Sequence, residues 1–205
     1  MTAPLSGDEK RILLKLAWEA LRAAVAEAEP PVLDEAALPA RLRETATCFV
    51  TLTRHGELRG CVGGIEPRLP LWQDVREHAV AAAFNDYRFP PVQPGELDGL
   101  QVEISVLTPP QPLAYADADD LLAKLRPGVD GVILMDRGRR ATFLPQVWQK
   151  LPDPAQFLDH LCQKMGFPAD EWRREGPRRE GPRRAKMEVK VYEVESVEDE
   201  PERET

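Results

Sequence analysis

The stretch that most constrains the fold is Leu58-Arg59-Gly60-Cys61-Val62-Gly63-Gly64. A strand precedes it: Cys48, Val50 and Leu52 alternate with Phe49, Thr51 and Thr53, the period-2 pattern of a half-buried strand rich in β-branched residues. His55-Gly56 forms a tight turn, so residues 58–65 return beside that strand. Glycines weaken a plain strand, and a strand carrying three of them has a bulge or a close backbone neighbour. Two accounts follow. Gly60, Gly63 and Gly64 admit a packed helix, or they let backbone N–H groups approach an anion while Arg59 supplies charge. The Gly60-x-x-Gly63-Gly64 spacing matches neither a phosphate-binding P-loop nor a dinucleotide fingerprint.

The other elements follow from the same kind of pattern. Ser6 and Glu9 form a capping box, and Leu13, Leu16, Ala17, Ala20, Leu21 and Ala24 recur at helical spacing. That predicts a helix of about five turns, ending before Pro30-Pro31. A second helix is predicted over 70–86, with Leu71, Val75, Ala79 and Ala82 on one face. Leu100, Val102, Ile104 and Val106 predict a third strand, stopped by Pro109-Pro110. A short helix over 117–125, a hairpin turned at Arg137-Gly138, a helix over 154–165 with Gly166 at C′, and a strand from Met187 to Val194 complete the pattern. Hairpins separated by helices predict an α+β fold with an antiparallel or mixed sheet, not a doubly wound nucleotide fold.

Composition narrows the function classes. The chain has 205 residues and a formal net charge of −8, which disfavours a general binder of nucleic-acid phosphate. No apolar run reaches the roughly 18 residues that span a membrane, and residues 1–9 lack the pattern of a signal peptide. The three dispersed cysteines, Cys48, Cys61 and Cys162, suit a reducing, cytoplasmic setting rather than a disulfide framework, and no C-x-x-C or His-Glu-x-x-His spacing announces a metal site. Arg-rich, Pro-rich composition with Asn85 as the single asparagine fits either a hot-growing source or a GC-rich genome. The repeat Arg-Arg-Glu-Gly-Pro over 173–184 is read as a solvated loop, with a polyanion patch as the alternative. An acidic, frayed tail is expected over 198–205.

Cys61 is the candidate nucleophile. In a regular strand Arg59 points to the same face and would lower the thiol pKa. A base would have to come from His55, His78 or His160. The alternative is a small buried cysteine that fills space between Gly60 and Gly63. Asp86 and Arg88 are candidate wall residues that pair with Arg59 and Glu103, unless Arg88 caps its own helix. Glu103 and Ser105 share a strand face opposite Val102 and Ile104.

Leu58-Arg59-Gly60-Cys61-Val62-Gly63 resembles the Leu-Arg-Gly-Cys-Ile-Gly signature of the AMMECR-type domain family, with Val62 in place of isoleucine. Phe49-Val50-Thr51-Leu52, Asp86-Tyr87-Arg88-Phe89-Pro90-Pro91, Glu103-Ile104-Ser105-Val106-Leu107 and Thr142-Phe143-Leu144-Pro145-Gln146-Val147-Trp148 follow the family pattern in order, as do Asp130-Gly131, Phe157-Leu158 and Leu161-Cys162-x-Lys164-x-Gly166. The likeness covers residues 8–195. It implies an α+β fold with a larger and a smaller subdomain and the signature hairpin near their junction, hence one domain over 5–197. It implies no settled activity, and an association with Memo-like and radical-SAM proteins as partners. The expected function is an accessory enzyme or small-ligand or anion-binding protein of unknown cofactor. Cys61 and Arg59 would be its catalytic pair, and Gly60, Gly63, Gly64, Asp86, Arg88 and Glu103 its binding residues. A regulatory interaction module or a nucleic-acid-associated factor is the alternative.

Overall fold

A computed structural model describes residues 4–173 and 187–199. These divide into two compact units, one from residues 4–108 with 195–199, the other from 109–173 with 187–194. Among the described residues no helix is long and apolar enough to cross a membrane.

The first unit begins with helix α1, Gly7–Val25, which the reciprocal Ser6–Glu9 capping box starts. It buries Leu13, Leu16, Ala17, Ala20 and Leu21, the face predicted from spacing. A short helix α2, Ala40–Arg43, leads to β1, Thr45–Arg54, and then β2, Glu57–Gly63. His55 and Gly56 join them with φ of 52° and 79°. Two consecutive positive φ values give the twist that a two-residue antiparallel hairpin needs. Strand β3 (Leu69–Pro70) is two residues long, and helix α3 spans Leu71–Phe84. Strand β4, Leu100–Leu107, completes the centre of the sheet.

Alternate residues of β1 and β4, Cys48, Val50, Leu52, Val102, Ile104 and Val106, join the α1 and α3 faces in one core. The hairpin glycines explain how α3 comes so near. A Cβ on Gly60 would lie 2.1 Å from the Ala82 carbonyl oxygen, so helix backbone occupies the side-chain position. A Cβ on Gly63 would lie 2.4 Å from the Phe49 ring. The bulge is present as well: Leu52 pairs with Gly60 but Thr53 with Leu58, which leaves Arg59 as the extra residue.

The second unit contains β5 (Gln111–Pro112), helix α4 (Ala118–Lys124), the hairpin of β6 (Gly131–Asp136) and β7 (Arg139–Phe143), helix α5 (Pro154–Lys164) and β8 (Glu188–Tyr192). The sheet order is β5-β8-β6-β7, antiparallel at each pair. Its core centres on Trp148 stacked on Phe157, with ring centroids 3.7 Å apart. Gly166, φ 80°, ends α5 as expected: its N–H donates to Gln163 O and that of Phe167 to Cys162 O, a Schellman closure. The observed fold is α+β with two antiparallel sheets.

Two expectations need correction. The last strand is two strands, because the chain leaves β8 at Glu193 and joins the first sheet as β9, Val194–Glu198, beside β4. Nor is the tail frayed from residue 198. The Asp199 carboxylate accepts the Trp18 indole N–H at 3.0 Å and the Val102 N–H at 2.9 Å, which fixes the strand end. Residues 200–205 and Arg174–Arg184 of the repeat lie outside the described residues.

Gly60→Ala is expected to lower stability by roughly 1–3 kcal/mol, since its methyl meets helix backbone that cannot swing aside. Gly95→Ala, where a Cβ meets nothing within 4 Å, should stay within about 0.5 kcal/mol. Urea midpoints of the two variants check this, and equal midpoints would refute the close approach.

Candidate functional site

Register places the sequence candidates on defined faces. Thr51 pairs with Cys61 on one side and Glu103 on the other, so the three side chains form a row across β2, β1 and β4. This face is opposite the core, because Val50 and Leu52 point to α3. In the next row Phe49 lies between Gly63 and Ser105, and Ser105 donates to Glu103 at 3.3 Å. The Cys61 thiol is half-buried, whereas Cys48 and Cys162 are buried. Its sulfur accepts the Thr51 hydroxyl at 3.3 Å.

The cation beside Cys61 is not the one expected. Arg59, displaced by the bulge, turns to Glu96 in a bidentate pair at 2.9 and 3.0 Å, which Arg54 joins at 3.4 Å. The Arg59 bond, with the Gln93 N–H assisting against burial, holds the Glu96 carboxyl at about 2. Arg88 is linked to Cys61 through a shared acceptor, the Asp86 carboxylate.

Asp86 and Arg88 pair with each other rather than with Arg59 and Glu103. Arg88 Nε and Nη2 donate to Asp86 at 2.8 and 2.6 Å, and the Cys61 N–H donates to the same carboxylate at 2.9 Å. The Arg88 bond outweighs burial and holds the Asp86 carboxyl well below the usual range. Asp86 is almost wholly buried, while 45 % of the Arg88 side chain is exposed. Among the described residues Arg88 Nη1 has no hydrogen-bond partner.

The backbone anion cradle loses two of its amides. Cys61 N–H serves Asp86, and Gly64 N–H donates to Cys48 O at 3.2 Å. Gly60 and Gly63 have packing reasons for lacking a side chain. No imidazole is bonded to Cys61 among the described residues: His55 sits in the turn, His160 lies on α5, and His78 faces the other side of the sheet.

His78 belongs to a cluster that spacing did not reveal. Asp74 and His78 are one turn apart on α3, with His78 Nδ1 3.0 Å from Asp74 Oδ2. The same oxygen accepts the Cys48 N–H at 2.8 Å, and Cys48 Sγ lies 3.9 Å from Nδ1. Burial, and then the Asp74 charge, push the Cys48 thiol well above its ordinary pKa. The one signal in the sequence was an aspartate and a histidine four apart on a predicted helix.

The chain is similar to known proteins over most of its length. The AMMECR1 family model matches residues 14–195. A protein of Methanothermobacter thermautotrophicus is 43 % identical over 169 residues, covering 82 % of this chain and 88 % of that one. One of Thermofilum pendens is 38 % identical over 190 residues, covering 84 % and 85 %. The crystal structure of the uncharacterized protein PH0010 from Pyrococcus horikoshii superposes with a TM-score of 0.83 at 30 % identity, over 98 % of this chain and 96 % of that one.

The Glu96 pair predicts a pH dependence. A carboxyl at about 2 in the fold and 4.5 in the unfolded chain contributes stability above about pH 4.5 and loses it as pH falls towards 2. The stability gap between the protein and Glu96→Gln, read from urea unfolding, is therefore expected to be full near pH 7 and to narrow below about 4.5. A gap independent of pH would count against the pair.

Proposed function

The chain belongs to the AMMECR1 family, and we propose that it acts on a small anionic ligand at the sheet face around the partly exposed Cys61, with the thiol as the reacting group. One observation carries the reading: of the three cysteines, Cys61 alone is partly exposed, and its N–H shares the Asp86 carboxylate with the half-exposed Arg88. An accessible sulfur next to a cation is the environment in which thiols react. Arg88 is tied to Asp86 through two of its nitrogens, which fixes the direction of the third, and a guanidinium fixed in this way suits a carboxylate or phosphate. Thr51 fixes the sulfur, and Glu103, in the same row, supplies a carboxylate at the far end of the face. Arg59 holds Glu96 and supports the bulge from outside the reacting centre.

Tyr87, next to Arg88, is 97 % exposed and favours a second reading, a partner protein docked on this edge. The two readings differ in what they do to the thiol.

Alkylation of the native protein near pH 8, followed by peptide mass, is expected to modify Cys61 well before Cys48 and Cys162. Iodoacetate should gain on neutral iodoacetamide at Cys61, and Arg88→Gln should cut that ratio by roughly two- to fivefold, within about 1 kcal/mol of charge–charge energy in a solvated site. A Cys61 that reacts only after denaturation would end the thiol reading. A reactive Cys61 indifferent to Arg88 would end the anion reading and leave the docking one.

A further inference from the structure

We propose that Cys48, Asp74 and His78 form a binding site for a zinc-class divalent metal ion between β1 and α3. The three donors are a thiol sulfur, a carboxylate oxygen and an imidazole nitrogen, the set that such ions select. Cys48 Sγ, Asp74 Oδ2 and His78 Nδ1 lie within 4.8 Å of one another, with the nitrogen 3.0 Å from the oxygen and 3.9 Å from the sulfur. An ion bonded at about 2.3 Å to sulfur and about 2.0–2.2 Å to nitrogen and oxygen requires donor separations of roughly 3.3–3.8 Å. The observed spacings bracket that range, so side-chain adjustments of about 1 Å close the shell.

The scaffold is rigid where ligands need it. Cys48 sits in the strand to which both β2 and β4 pair, and Asp74 and His78 share one face of α3. The Cys48 N–H bond orients the Asp74 carboxylate, the kind of outer contact that fixes metal ligands. Cys48 and Asp74 are closed to solvent, whereas 20 % of the His78 side chain is exposed. Solvent therefore enters along the imidazole, and a water there completes four-coordination. With its ring proton on Nε2, His78 turns the Nδ1 lone pair to the ion. The Cys48 S–H bond breaks as the sulfur–metal bond forms, and the proton leaves to solvent. One dication then balances one thiolate and one carboxylate.

A competing account makes the cluster purely structural, with Asp74 satisfying the Cys48 N–H and His78 bracing Asp74. That account predicts no metal binding. The site lies on the opposite sheet face from Cys61, so it stands or falls independently of the thiol reading above.

The test is cobalt(II) titration of the full chain after chelator treatment, under a thiol-free reductant. One equivalent is expected to give a near-ultraviolet thiolate-to-cobalt charge-transfer band with visible tetrahedral bands, all abolished by one equivalent of zinc. Cys48→Ser, near-isosteric and checked for folding by its melting curve, should lose the charge-transfer band. His78→Gln should weaken binding by more than the roughly 10–100-fold that loss of an outer-shell contact costs. Cys61→Ala should leave the band intact. A protein that shows no band at excess cobalt, or a band that survives Cys48→Ser and disappears in Cys61→Ala, overturns the proposal.

Discussion

Everything at the candidate site depends on one close approach, the Ala82 carbonyl lying where a side chain of Gly60 would be. Backbone packed against backbone brings α3 a side chain's depth nearer to β2 than sheet-on-helix packing otherwise allows. At the C-terminal end of the helix the chain then delivers Asp86 to the Cys61 amide. In its first turns the same helix delivers Asp74 to the Cys48 amide. Two carboxylates, one on α3 and one just past its end, thus satisfy backbone N–H groups of two strands. A buried N–H left without a partner costs about 1–3 kcal/mol, so each carboxylate fixes helix against sheet.

The charges divide by what they hold. Arg59 and Arg88 both form two-pronged pairs with a carboxylate, yet they differ in exposure: 12 % of the Arg59 side chain is exposed against 45 % for Arg88. The Glu96 pair is closed and serves the bulge. The Asp86 pair is closed on the carboxylate side and open on the guanidinium side, which gives a fixed cation a solvent-facing edge. Bulge support and site charge at this hairpin are therefore separated. The bulge takes Arg59 out of the row, and Arg88, from a different segment, is joined to Cys61 through the Asp86 carboxylate.

The periodic part of the structure was legible in the sequence because periodicity is local. Alternation in residues 48–53 and 100–107 and helical spacing in 13–24 survive as strands and helices because the same residues fill the core. Gly166 was legible as a cap because the closure involves only its neighbours. The bulge was legible as a need for one and not as a place, since register depends on the partner strand. Hence Arg59 was assigned to the Cys61 face by an alternation that the bulge interrupts. Pairings of charges were hidden for the same reason. Arg88 meets Asp86 two residues away rather than a distant carboxylate, Glu96 meets Arg59 across 37 residues, and His78 meets Cys48 across 30. The Asp199 anchor joins residues 181 apart. No spacing rule reaches the last three of these, and the pair two residues apart lies in a turn, where no regular period applies.

β1 explains how one hairpin holds two chemically distinct sulfurs. Cys48 and Thr51 are three apart, an odd step, so they point to opposite faces, and Thr51 carries the register across to Cys61. The sulfur on the α3 side is enclosed, next to a carboxylate that discourages its ionisation. The sulfur on the far side meets a hydroxyl, and the N–H of its residue shares the Asp86 carboxylate with a guanidinium. The two settings follow from which residues of the α3 segment reach each strand, Asp74 from within the helix to Cys48 and Asp86, paired with Arg88, from just past its end to Cys61. Moving α3 along the sheet would disturb both environments at once, and the Gly60–Ala82 contact, with no side chain to yield, is what resists that movement.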